Sequence, residues 1–278
     1  KRKRVSADFH AELSRNFSPK VRAAAYRKPV SDFAACAAAF DVELLRRELD
    51  AGVDPDLMSM TECTPMIDVL IFRVATDKGE NVNKRIACLK MLLEAGASPN
   101  MEVLESRPLA CVAPIHADQG TFHEQAVDVL LRAGADVNLA CHRESSILRL
   151  AAKLSSPAIV AKLISAGALD LAGALDEAIK FGRYANCCPL LRAGAPLPHY
   201  LPADGTSCRF FIYSSAQFTF DYSRTCAYVK KVTAAGGFKA YEKAHRQRLT
   251  TMFAPKFPRV PIEVISHIVL LWAHIGDY

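Results

Sequence analysis

Leu130-Leu131-Arg132-Ala133-Gly134-Ala135-Asp136-Val137-Asn138 is the stretch whose reading decides the fold. An apolar, helix-like run stops at a glycine, and the residue just past a helix end usually takes positive φ, which glycine adopts without a Cβ penalty. Leu92-Leu93-Glu94-Ala95-Gly96-Ala97 is a second full copy, and further copies centre on Gly52, Gly167, Gly194 and Gly236. Twelve residues after Gly52, Gly134 and Gly194 come Thr64-Pro65-Met66-Ile67, Ser146-Ile147-Leu148-Arg149 and Thr206-Ser207-Cys208. A hydroxyl followed by proline opens a helix, because the hydroxyl caps free N–H groups and proline has none to lose. Counting back 21 residues from Gly52, Gly167 and Gly194 lands on Ser31, Ser146 and Gly173, each just before an Ala/Leu-rich run. The two offsets make a 33-residue period of paired helices.

This period and these residues resemble the ankyrin-repeat family over residues 31–236. Thr64-Pro65-Met66 is similar to the family's Thr-Pro-Leu helix start, and Leu130 through Asn138 to its helix end and Asp-Val-Asn finger. The resemblance implies an all-α solenoid of about six divergent helix-pair units, starting near Ser31, Thr64, Arg107, Ser146, Gly173 and Thr206. Spacing departs from the family in named places. About 11 residues are inserted around 75–85 and about six near 117–122, the sixth unit is enlarged, and the finger before the fifth is nearly absent. Three regions follow: a basic extension and partial cap at 1–30, the array at 31–237 and a helical cap at 238–278.

Charge is concentrated at the start. Residues 1–28 hold nine Lys/Arg against Asp8 and Glu12, so the rest of this +6 chain is close to neutral and offers no generally basic face for nucleic acid. Lys1-Arg2-Lys3-Arg4 reads as a solvated tail, with nuclear import as the sharper alternative. It has no apolar core of a secretory signal, and no run approaches the 18 or so apolar residues of a membrane span. The expectation is a soluble intracellular protein, cytoplasmic or nuclear, or in an organelle if an upstream targeting segment was removed. Nine cysteines, with no Cys-x-x-Cys, fit small apolar positions better than a metal site. No catalytic motif or phosphate loop occurs, so no enzyme activity, cofactor or metal is expected.

A protein partner is the expected ligand, held by repeat fingers and a concave groove. The first finger carries Leu57, Met58 and Met60, and the second Met101, Val103 and Leu104. Fingers project into water, so methionine-rich tips suit a partner's irregular surface, while packing under the chain's own loops is the structural alternative. The third finger, with His142 and Arg143, is more polar and would form a rim. At the N-terminus Phe9, Leu13, Phe17 and Val21 would supply a partial cover, interrupted by Pro19.

Residues 238–252 read as an amphipathic basic helix, followed by Val260-Pro261-Ile262-Glu263-Val264 and then Ile268-Val269 and Trp272. This last segment is similar to the opening of an F-box. Ankyrin arrays with such a tail resemble the poxvirus-type ankyrin/F-box-like proteins and ankyrin proteins of algae and other single-celled eukaryotes. The resemblance spans one helix and implies docking to a ubiquitin ligase through Pro261, Ile262, Ile265, Val269 and Trp272. Burial of these side chains against the last repeat would make the helix a cap, and a continuous exposed stripe would make it a docking element.

Overall fold

The computed structural model describes residues 32–58, 63–71, 80–103, 106–113, 120–140, 146–198 and 222–272. These residues are predominantly helical, and among them the only β feature is an isolated bridge between Val103 and Ser106. The all-α expectation therefore holds. The chain divides into two compact units, Lys1–Asp170 and Leu171–Tyr278.

In the first unit the helices come in pairs: α1 (Asp32–Ala39) with α2 (Val42–Asp50), α3 (Pro65–Ile71) with α4 (Glu80–Glu94), α5 (Pro108–Val112) with α6 (Gly120–Arg132), and α7 (Ile147–Leu154) with α8 (Pro157–Ser165). First helices pack on first helices, α1 on α3 and α3 on α5, while α2, α4, α6 and α8 form a second row. Helix α3 lies innermost, with all seven residues buried. Local chemistry fixes the starts. The Thr64 hydroxyl accepts from Ile67 N–H at 3.4 Å ahead of Pro65, and Ser146 accepts from Arg149 N–H at 3.2 Å. Ser156 does the same for Ile159 at 3.4 Å ahead of Pro157.

The second unit contains α9 (Leu171–Lys180), α10 (Tyr184–Arg192), α11 (Tyr222–Ala234), α12 (Phe238–Phe253), a short 3-10 turn (Ala254–Lys256) and α13 (Ile262–Trp272). Helix α11 packs on α9 and α10, α12 on α10 and α11, and α13 on α12.

All six turn glycines have positive φ, between 83° and 100°. At Gly134 the closure is a Schellman motif: Ala135 N–H reaches Leu130 C=O at 3.0 Å, and Gly134 N–H reaches Leu131 C=O at 3.1 Å. Gly182 closes α9 in the same way and was not among the expected steps. Two boundaries differ from the sequence reading. Helix α4 begins at Glu80, so Arg85 lies inside a helix rather than in an inserted loop, because Val82, Ile86 and Leu89 give that segment a buried face. Gly173 lies buried within α9, which already starts at Leu171. The expected starts at Ser31 and Thr206, and the N-terminal cover at 8–26, lie outside the described residues.

Candidate functional site

The fingers are built by short polar side chains that bend their own backbone. Asp54 accepts from Asp56 N–H at 2.9 Å and Asp136 from Asn138 N–H at 2.8 Å, a turn that Asp and Asn favour. The fourth residue after Gly52, Gly96 and Gly134 then reaches the next finger. Asp56 accepts from Ser98 N–H at 2.9 Å, Asn100 from Asp136 N–H at 2.8 Å and Asn138 from Leu169 N–H at 3.0 Å. The two asparagines also donate, to Gly134 C=O and Gly167 C=O at 3.0 Å each. An amide can accept and donate at once, which a carboxylate cannot. Arg107 adds a further link, donating to Asn100 C=O at 2.7 Å and Ala140 C=O at 3.3 Å while pairing with Glu102 at 2.6 Å.

On this fixed frame Leu57 and Met58 stand out, 48% and 49% exposed, just past the first turn. Met101 is half-buried. Val103 departs from the expectation of an exposed tip: it is buried and exchanges backbone hydrogen bonds with Ser106, turning the second finger back on itself. Met60, Leu104, His142 and Arg143 lie outside the described residues. Leu169, 80% exposed in the fourth finger, was missed, since Ala168-Leu169-Asp170 lacks a second finger asparagine to flag it.

The C-terminal helix answers to both readings. Ile265 and Val269, one turn apart, are buried against Leu249 of α12, with Phe253, Ala254 and Val260 around them. That burial is in a helical hairpin, so these two side chains are not a free docking stripe. Pro261 and Ile262 are exposed, and Val264, Ile268 and Leu270 are each about half exposed, as are Met252 and Phe257. The side chain of Trp272 lies outside the described residues.

No protein-family model matches this chain, and no curated protein matches it.

Two buried charged residues mark the interior of the first unit. The Arg85 guanidinium sits 3.6 Å from the centroid of the Phe122 ring and 5.1 Å from that of Phe40. It donates to the Val69 and Leu70 carbonyls at 3.0–3.2 Å, which are among the last carbonyls of α3 and carry its negative dipole end. Asp68 on the same helix is buried, and desolvation raises its carboxyl to about 7.

In the second unit Tyr184 and Tyr241 each meet Tyr228 edge-on, His245 stacks on Tyr241, and the Arg224 guanidinium lies 4.4 Å from the Tyr184 ring centroid. Burial pushes the neighbouring Cys187 thiol up to about 12, so it is held as an inert thiol. Cys63, Cys88, Cys111, Cys188 and Cys226 are also buried and unbridged, as small apolar side chains would be. Among the described residues no helix is long and apolar enough to cross a membrane.

Proposed function

We propose that this chain is a non-catalytic protein-interaction scaffold, an array of divergent ankyrin-like helix pairs that binds a protein partner through its fingers. The observation that carries the reading is the exposure of Leu57 and Met58 on a finger tied to the next one through the Asp56 carboxylate, which accepts from Ser98 N–H. Exposed apolar area on a rigid support loses little entropy on binding. The two rows of stacked helices, the repeated turn closures and the finger-to-finger hydrogen bonds support the ankyrin-like arrangement. The reading assigns no reaction, cofactor or nucleic-acid ligand to the chain, and places it in the cytoplasm or nucleus. Its test is affinity purification of the full chain from its native source, with quantitative mass spectrometry. A Leu57→Ser/Met58→Ser variant should lose partner proteins that the unaltered chain retains, at an unchanged melting temperature. Identical sets from both chains would refute the finger site.

A second reading, substrate adaptor of a ubiquitin ligase, is favoured by the exposed Ile262, Val264 and Ile268 on α13. Under it, Val264→Asp/Ile268→Asp abolishes co-purification of ligase subunits and leaves finger-bound partners in place.

A further inference from the structure

A groove of about 550 Å³ opens between the C-terminal ends of α2 and α4 and the turn that follows α2. It is formed by the second-row helices α2 and α4 and by the start of the first finger, Val53 to Pro55, and it does not include the exposed Leu57 and Met58. Its floor is apolar: Leu49, Val53 and Met91, all partly buried. Its rim is acidic, with Asp50, Asp54 and Glu94 exposed, against the single cation Arg46, which sits 3.9 Å from Glu43. Two helices end here, so two negative dipole ends face the same space as the carboxylates. The volume is in the range that seats a small ligand or a few side chains, roughly 300–1,000 Å³.

We propose that this groove seats a lysine or arginine, flanked by apolar residues, from a peptide segment of the protein partner. Long cationic side chains lay their methylene stems on apolar surface and keep the charge at a polar end. Leu49, Val53 and Met91 provide that surface, and Asp50 and Glu94, each the last residue of its helix, provide the anionic end. Opposite charge across an interface sets both encounter rate and partner choice. The inference rests on the scaffold reading and names the chemistry of its partner.

The test is fluorescence anisotropy of the full chain with a labelled short peptide of alternating leucine and lysine, against its leucine–glutamate counterpart. The lysine peptide binds saturably and weakens as salt rises from about 0.05 to 0.3 M. The glutamate peptide does not bind. Asp50→Lys/Glu94→Lys weakens the lysine peptide by about tenfold or more, since it places like charges together. If that variant melts early, Asp50→Asn/Glu94→Gln serves, with several-fold weakening expected. Equal binding of the two peptides, or unchanged binding by the variants, overturns the proposal. Tighter binding, by more than about fivefold, to a chain with Lys1, Arg2, Lys3 and Arg4 all changed to glutamine overturns the external partner in favour of the chain's own basic run. The peptide assay does not depend on Leu57 or Met58, so failure here leaves the finger site standing, and the reverse also holds.

Discussion

Helices α4 and α13 differ in composition, and each meets the fate that the other's composition would suggest. In α4 the side chains of Val82, Ile86, Cys88, Leu89 and Leu92 are all buried, although the helix carries Asn, Lys and Glu throughout. Helix α13 is far more apolar, Ile-Glu-Val-Ile-Ser-His-Ile-Val-Leu-Leu-Trp, yet of its described apolar side chains only Ile265 and Val269 are buried. The difference lies in the neighbours. Helix α4 packs on α2, α3 and α6, whereas α13 packs on α12. Composition says what a helix can bury, and stacking decides what it does bury.

The largest test of that contrast sets Arg85 against Arg259. Arg85→Ala empties the space between two aromatic rings and removes the donors to the last carbonyls of α3, so it should cost about 3–5 kcal/mol in chemical denaturation. Arg259 is exposed, and Arg259→Ala should change stability by less than about 0.5 kcal/mol.

Next comes pH. Asp68 binds its proton more tightly in the folded chain than in the unfolded one, with a carboxyl at about 7 against an ordinary 3.8. A raised folded-state value gives stability that is fully present below pH 4 and lost as pH rises through 7, by at most about 4 kcal/mol. Asp68→Asn should flatten that slope and melt above the unaltered chain at pH 8.

A matched aliphatic pair sharpens the comparison further. Leu89→Ala should cost about 2–5 kcal/mol, whereas Ile268→Ala, at a side chain 53% exposed, should fall within about 0.5 kcal/mol of the parent. Equal losses at the two sites would mean that α13 is core after all.

The smallest effect concerns the fingers. Asn138→Asp keeps the acceptor for Leu169 N–H and removes the donor to Gly167 C=O, so it should cost about 0.5–1.5 kcal/mol. Asp56 already occupies the equivalent place in the first finger and makes only the accepting bond, so the loss should be tolerated.

What could be read from the chain in advance was what is decided locally. Gly134 and its five counterparts were readable because positive φ is a covalent requirement of the turn itself. Thr64 and Ser146 were readable because a capping hydroxyl acts within three residues. Arg85 was not, since its environment is made by Phe40 and Phe122, distant in sequence, and a lone arginine ordinarily marks surface. Asn138 was recognised as a finger residue, but its bond to Gly167 depends on how one turn lies beside the next. Among the site residues, Leu57 and Met58 stand exposed as expected, while Val103 turned inward through its bridge to Ser106. Apolar residues along an irregular finger give no period from which to tell inside from outside. The groove below Asp50 and Glu94 is invisible in sequence because its walls come from two helices of different pairs.

Methionine oxidation tests the central claim most directly, that apolar side chains beyond the stack stand free in the intact chain while those inside it do not. Sulfoxide formation follows solvent access. Met58 and Met252 are 49% and 52% exposed, and Met66 on α3 is 1% exposed. In dilute peroxide, read residue by residue by mass spectrometry, Met58 and Met252 should oxidise at least roughly tenfold faster than Met66. Oxidation of Met58 as slow as that of Met66 would place the first finger tip under cover and contradict the partner-binding account.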